Sequence, residues 1–463
     1  MRHNVPIPRS HAFKLPATSR ACTARRLTNV RSACLPVTRL AVVYLAFAHL
    51  CALTALAVVT LTPASVTGFF YHTRMLAVVH LVTLGWISSA IMGALFIVGP
   101  LALRMPLQSS RADGWACGVM LIGIAGLVSH FWIDQMSGMA WSAVMTLGGM
   151  VHLAVRVWRA IGRSTIPGGV KLHVALAFAN LVGAATIGVL IGVDKVRDIV
   201  PGYVLANVYA HAHLAAIGWA VMMVVGVGYR LFPMVLPAAM PAGRSLYVSA
   251  LLLEIGALGT LVSLVMQSRA GAVFAAVTVG GLAAFGWHVI RMLRNPRPAP
   301  KALARPDYAT RHALLALVSL ALAAVLGLVL AAAAPSALSL RLAPVYGTLG
   351  LVGFLGQMIV GMESRILPMY AWYAALAPNG PDLPAFSVHE LGWPRVQRVS
   401  FYLWAVGLPL VATGLFTENV RLVGVAGGML LFAVAGNTVH AARILRHAFR
   451  ASRTTHLGGS SLA

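Results

Sequence analysis

Ala210-His211-Ala212-His213-Leu214-Ala215-Ala216-Ile217-Gly218-Trp219 sets two imidazoles inside an otherwise apolar stretch. On a helix, at about 100° per residue, positions two apart point nearly opposite ways. One helix therefore serves two sites, or two edges of one site, at almost the same depth. Ionisable groups inside a membrane are costly and usually functional, and a His-x-His pair doubles that cost.

The same frame recurs along the chain. From His213, Gly218-Trp219 follows five residues on, Gly226 eight further and Pro233 seven beyond that; His80 is followed by Gly85-Trp86, Gly93 and Pro100 at identical intervals. A third copy, Gly353-Phe354, Gly361 and Pro368, has Thr348 in place of the histidine. The steps between copies are 133 and 135 residues, which reads as an internal threefold repeat.

The composition, 59% hydrophobic and 10% charged, with a mean hydropathy of +0.84, is that of a polytopic membrane protein and excludes a soluble domain. Cys22, Cys34, Cys51 and Cys117 form no Cys-x-x-Cys and no Cys-x-x-Cys-His, so neither a zinc ribbon nor covalent haem attachment is indicated. The net charge of +25 sits at the ends of apolar runs, which points to topology and anionic lipid contact, not to nucleic acid.

Twelve apolar runs follow one another at about 40–62, 72–100, 115–134, 137–158, 171–193, 203–229, 245–266, 270–292, 311–334, 343–367, 397–416 and 420–445. The pattern predicts an all-α membrane domain over 40–445, in three pseudo-symmetric four-helix repeats (about 40–160, 171–295 and 311–445). Residues 1–39, with eight basic and no acidic residues, read as a disordered cytoplasmic tail, with a transit peptide or a misplaced start as alternatives. Residues 446–463 read as a basic cytoplasmic tail. With both termini inside, 29 of 35 Lys and Arg residues fall on the inner side, and only Arg74, Lys195, Arg197, Arg269, Arg341 and Arg421 fall outside. This asymmetry predicts a bacterial inner-membrane protein with cytoplasmic termini.

That topology places His80, His211 and His213 in one layer about 10–15 Å below the outer surface, with His130 within reach. His152, His288 and His440, each followed by an arginine three or four residues on, and His173 and His312 at inner helix starts, read as side chains snorkelling to headgroups. Neutral imidazole is a common metal ligand, and haem iron accepts it as an axial ligand inside an apolar bundle. His80 and one of His211 and His213 are thus read as a bis-histidine haem clamp. The alternatives are histidines that only tie helices together, and a proton or metal transport relay. Glu254 reads as the one acid deep in an apolar run, either a member of a proton path or a neutral hydrogen-bonded carboxyl. His49 aligns with Asn180 through Ala-Phe-Ala-His-Leu and Ala-Phe-Ala-Asn-Leu, a polar position able to orient a neighbouring ligand helix. Pro100, Pro233 and Pro368 are expected to close the inner ends of their helices.

Twelve helices with cytoplasmic termini, threefold four-helix repeats, an outer-half histidine on the second helix and His-x-His followed by Leu-x-x-x-Gly-Trp together resemble the catalytic subunit I of haem-copper oxidases. Within that superfamily the chain is most similar to C-type cytochrome oxidases, nitric oxide reductases and NnrS-like membrane haem-copper proteins. The resemblance implies that His80 and one of His211 and His213 ligate a low-spin, non-covalent haem b, and that the other member of the pair holds a reactive haem. It also implies an electron-donor subunit or quinone as partner, and Arg421, with Arg341 as the weaker candidate, against haem propionates. Here His-x-His lies on the sixth helix instead of the tenth, where Tyr346 and Thr348 stand, and there is no His-Pro-Glu-x-x-Tyr and no His-His pair. His80, His130, His211 and His213 are the candidate metal ligands, and haem without a haem-coupled copper is the expectation. Two functional classes follow: an oxidoreductase in electron transfer or nitric oxide and oxygen chemistry, or a non-enzymatic haem- or copper-binding sensor or stress-protection protein. A transporter is the third.

Overall fold

A computed structural model describes residues 38–299, 303, 305–376 and 387–458, with side chains as far as Arg446. Most of the expected tail at 1–39 lies outside these residues. Among the described residues there is no strand, and twelve helices are long and apolar enough to cross a membrane. They are α1 (Arg39–Leu61), α2 (Thr73–Leu101), α3 (Arg111–Trp132), α4 (Met136–Gly162), α5 (Gly168–Arg197), α6 (Val204–Val235), α7 (Ser245–Val265), α8 (Gly271–Arg294), α9 (Tyr308–Ala332), α10 (Ala337–Ala375), α11 (Pro394–Phe416) and α12 (Val420–Arg446). The protein is a multi-pass helical membrane protein. The helix that contains α12 runs on to Gly458, so the expected C-terminal tail is helical over most of its length.

The same neighbours recur around the molecule. The third and fourth helices of each group pair tightly, α3 with α4, α7 with α8 and α11 with α12; the fourth then packs on the next first helix, α4 on α5, α8 on α9 and α12 back on α1. Inside this closed ring stand α2, α6 and α10. Small residues permit the close pairs, as expected where packing rather than hydrophobicity drives association. An added Cβ on Gly123 would come within 2.7 Å of the Ser142 carbonyl on α4, and one on Gly256 within 2.2 Å of Thr278 Oγ1 on α8.

Each central helix is interrupted by an eight-residue π segment, Leu81–Ser88, Leu214–Val221 and Leu349–Gly356. These segments begin directly after His80, His213 and Thr348 and carry Gly85, Gly218 and Gly353 as their fifth residues. π-Helix is rare and favours functional sites; here three examples stand 133 and 135 residues apart. The segments touch one another pairwise. Trp219 Nε1 donates to Ser88 Oγ at 3.0 Å, joining α6 to α2. The Trp86 ring lies on Gly356, where a Cβ would meet it at 2.6 Å, joining α2 to α10. Ser88 and Gly356 occupy the same register, so the two aromatics make equivalent cyclic contacts. The structure places Trp86 and Trp219 as packing residues, both buried.

The glycines of the frame seat each central helix on the first helix of its group. Added Cβ atoms would meet Cys51 at 2.6 Å from Gly85, Asn180 at 2.9 Å from Gly218 and Ser319 at 2.9 Å from Gly353; eight residues on, they would meet Tyr44 from Gly93, His173 from Gly226 and His312 from Gly361. These contacts pair Asn180 with Cys51, not with His49. The Ala-Phe-Ala match is thus two residues out of spatial register. Pro100 and Pro233 lie near the ends of α2 and α6, whereas α10 continues past Pro368 to Leu376, so that proline does not close its helix.

α2 is capped by His72, whose Nδ1 accepts the Met75 N–H at 3.3 Å. Burial, with the Arg74 guanidinium adding to it, lowers the His72 pKa, which keeps the accepting lone pair. A depressed imidazole pKa contributes stability above the ordinary value of about 6.5, and that contribution is lost as pH falls from there through the lowered folded value. The protection factor of the Met75 amide, measured against its intrinsic exchange rate at each pH, should therefore fall on acidification below about pH 6.5 in wild type and stay level in His72→Asn, which keeps an acceptor that does not titrate.

The glycine contacts give a second test. Gly226→Ala should destabilise the detergent-solubilised protein by about 1–3 kcal/mol through overpacking against His173. Gly286→Ala, where a Cβ meets nothing within 4 Å, should leave the melting temperature unchanged or raise it. Equal melting of the two variants would count against the packing described.

Candidate functional site

His80, His211 and His213 lie seven to nine residues into α2 and α6, about 10–14 Å from the helix ends at 1.5 Å per residue. These are the ends opposite the basic ones that carry Arg39, Arg104, Arg111 and Arg163. All three histidines are half-buried and share one hydrogen-bond pattern. Nδ1 of His80 faces Leu76 O at 2.7 Å, Nδ1 of His211 faces Ala184 O at 2.9 Å, and Nδ1 of His213 faces Tyr209 O at 2.8 Å. A carbonyl oxygen only accepts, so each Nδ1 carries the proton and donates it. The Nε2 lone pair is thereby presented away from the helix, the tautomer that binds metals.

The His-x-His pair divides as helical geometry requires. His211 lies against α5 between Ala184 and Gly188 and within electrostatic range of His80 on α2. His213 turns toward α10, its ring stacked on Tyr346 with centroids 5.9 Å apart and planes 21° apart. Tyr346 is in turn backed by Gly327 of α9. His80 packs on Phe131 of α3, centroids 4.8 Å apart. His211 thus lies on the α5 side within electrostatic range of His80, and His213 turns to a second face.

His130, next to Phe131, does not join this layer through the same wall. Its Nδ1 faces Gln135 O at 3.0 Å and its ring lies on Gly138, closing the α3–α4 turn. Among the described residues no group of three or more His, Cys, Asp or Glu side chains is arranged to hold a metal ion. Arg341 lies in the second turn of α10, where an independent helix start was expected after it, and faces Glu418 at 3.5 Å; both side chains are about half exposed. Arg421 is exposed on the first turn of α12.

The α10 wall of this layer is loosely covered. From Leu342 to Val352 every residue of α10 is half-buried, whichever way it points, while Gly353 to Gln357 and most of the helix beyond are buried. Cβ atoms added to Gly347 and Gly350 would meet nothing within 4 Å. Neutral imidazoles are donors that a haem iron accepts.

Sequence reasoning missed the polar interior at the basic end. His173, His288, His312 and His440 are buried, not snorkelling. His173 accepts from Ser249 (3.0 Å), His440 accepts the Trp393 N–H (3.3 Å), and His152 and Arg156 lie 2.8 and 3.1 Å from the buried Asp113 carboxylate. Glu254 is not the only acid in an apolar run: Glu363 is buried in α10. Its Oε2 accepts from Asn437 Nδ2 at 2.8 Å and stands 3.3 Å from His49 Nε2, while His49 Nδ1 bonds Thr438 Oγ1 at 2.9 Å. Asn180 Nδ2 donates both to Glu254 Oε2 (2.7 Å) and to Gly218 O (3.1 Å) in the α6 π segment. Asn180 is therefore the polar group that steadies the helix of His211 and His213, and His49 serves α10 and α12.

The chain matches no protein-family model and no curated protein.

Removing Asn180 leaves a carboxyl and a π-segment carbonyl without their donor, which costs about 1–3 kcal/mol. Asn180→Leu should lower the thermal midpoint, and the double variant Asn180→Leu with Glu254→Leu should recover part of that loss. Additive destabilisation would mean that the two side chains are uncoupled.

Proposed function

We propose that this protein is an integral membrane haem b protein of the haem-copper oxidase subunit I type, in which His80 and His211 would hold a low-spin haem. What supports the reading is their placement across the α2–α6 boundary with matching Nδ1–H tautomers, each fixed by a backbone carbonyl and each offering Nε2. A haem held there supplies one-electron transfer. The chain's own part is to orient the imidazoles, to keep them neutral in an apolar layer and to exclude water with Phe131 and the α5 wall. His213, stacked on Tyr346, is the ligand candidate for a second haem between α6 and α10, the place where nitric oxide or oxygen chemistry belongs in this reading. Arg421, with Arg341 as the weaker candidate, pairs with propionates at that end of the molecule, and a quinone or an electron-donor subunit supplies electrons. The distribution of Lys and Arg supports a bacterial cytoplasmic membrane with both termini on the cytoplasmic side.

Reduced protein purified after haem-replete expression should show a b-type spectrum, with haem confirmed by pyridine haemochrome. His80→Ala and His211→Ala should each abolish the low-spin bands, whereas His213→Ala and His152→Ala should leave them. Absence of haem in folded wild type would sink the reading. Equal losses from all four variants would mean that the histidines act through folding.

A further inference from the structure

On the basic side of the π segments, α2, α6 and α10 border a partly open cavity of about 100 Å³. Its walls are supplied in matching registers, such as Val98, Leu231 and Ile366 in one layer and Leu95, Gly228 and Glu363 in another, each 133 and 135 residues apart. The lining is apolar at every position except Glu363.

That carboxyl is held from behind. Asn437 of α12 and His49 of α1 both address Oε2, and no described residue donates a hydrogen bond to Oε1. Glu363 is only 6% exposed, so bulk water reaches this carboxyl poorly, and an oxygen without a donor in such surroundings leaves bonding capacity that a ligand can use. An apolar chamber does not recruit water readily, and an engineered apolar cavity of about 150 Å³ takes up benzene. The dimensions therefore suit one aromatic ring, and the single acceptor suits one hydroxyl donor.

We propose that this axial cavity is a binding site for a lipophilic phenol-type molecule, a ring with one donating hydroxyl and an apolar substituent, whose hydroxyl donates to Glu363 Oε1. Recognition is by hydrogen bond and shape alone. No part of it depends on the histidine layer or on haem, because the site lies beyond the π segments from both.

The test uses the full-length protein in nanodiscs, with 4-nonylphenol and its methyl ether 4-nonylanisole as probes, and with retention by protein-free nanodiscs subtracted. The two probes differ only in the donor. Wild type should bind the phenol roughly tenfold more tightly than the ether, as expected for a hydrogen bond to a charged or strongly polarised acceptor. In Glu363→Gln, the amide oxygen takes over the Asn437 bond and an NH2 faces the cavity, so the preference should fall below about threefold. Ala94→Leu narrows the chamber and should weaken both probes together. Should Glu363→Gln fail to give monodisperse protein, the wild-type ratio and Ala94→Leu still decide. Equal binding of phenol and ether to wild type, a phenol preference that survives in folded Glu363→Gln, or binding indifferent to Ala94→Leu would each overturn the proposal, and the first would leave only hydrocarbon partition.

Discussion

The molecule depends on the close approach of α2, α6 and α10 at their π segments. An aromatic on one central helix needs a small or hydrogen-bonding residue on the next, which is what Trp86 finds in Gly356 and Trp219 in Ser88. In hydrocarbon there is no gain from hiding apolar surface, so such contacts must come from packing and from the few internal hydrogen bonds. A π turn frees backbone geometry that a regular helix would hold, and neighbouring helices must restore it. Asn180 does so for α6 by donating to Gly218 O, and the Ser89 hydroxyl does so for α2 by donating to Leu84 O at 3.0 Å.

This crossing separates two chemically different halves of the same three helices. Toward one end the half-buried imidazoles line a loosely covered layer; toward the other the walls close into tightly buried apolar registers broken by Glu363. The asymmetry follows from the third copy of the frame. Where the first two carry histidine, it carries Thr348; where they carry Leu95 and Gly228, it carries Glu363. Similar backbones with unlike side chains turn one architecture into distinct faces, as α6 does within two residues when it sets His211 against α5 and His213 against α10.

Much of this was legible in sequence. The twelve spans follow from hydropathy alone, because a spanning helix needs about 20 apolar residues whatever its neighbours. The histidine layer follows from rise per residue. Which neighbour each of His211 and His213 faces does not, since two opposite directions on one helix are equivalent until the neighbours are placed. The π segments were equally hidden: their sequences are short apolar runs, and only the constant five-residue interval from His80 or His213 to glycine marked them. The expectation of snorkelling histidines failed because it treated helix ends as lipid-facing, whereas the ring closure turns His173, His288, His312 and His440 toward the interior. The match between His49 and Asn180 failed because three identical residues among apolar alanines and phenylalanines set no register, while the glycine contacts do. Glu363 went unread because it lies close to Arg365 and so resembles the end of a span; α10 in fact continues to Leu376.

Burial of these polar groups is affordable in physical terms because almost none is left as a bare charge. An isolated ion in hydrocarbon costs far more than a neutral imidazole whose N–H is already bonded, and His80, His211 and His213 each satisfy that condition within the helices themselves. Asp113 is surrounded by Ser110, His152 and Arg156 near a basic end, and Arg365 pairs with Asp307 at another. Burial does not close every bond: Thr260 Oγ1, His288 Nε2, Gln357 Oε1 and Trp404 Nε1 are buried without a partner among the described residues, so an unpaired atom does not by itself mark a binding surface. What distinguishes the histidine layer is that three imidazoles with the same Nδ1–carbonyl bond share one depth on two helices, a coincidence that closing hydrogen bonds alone does not require.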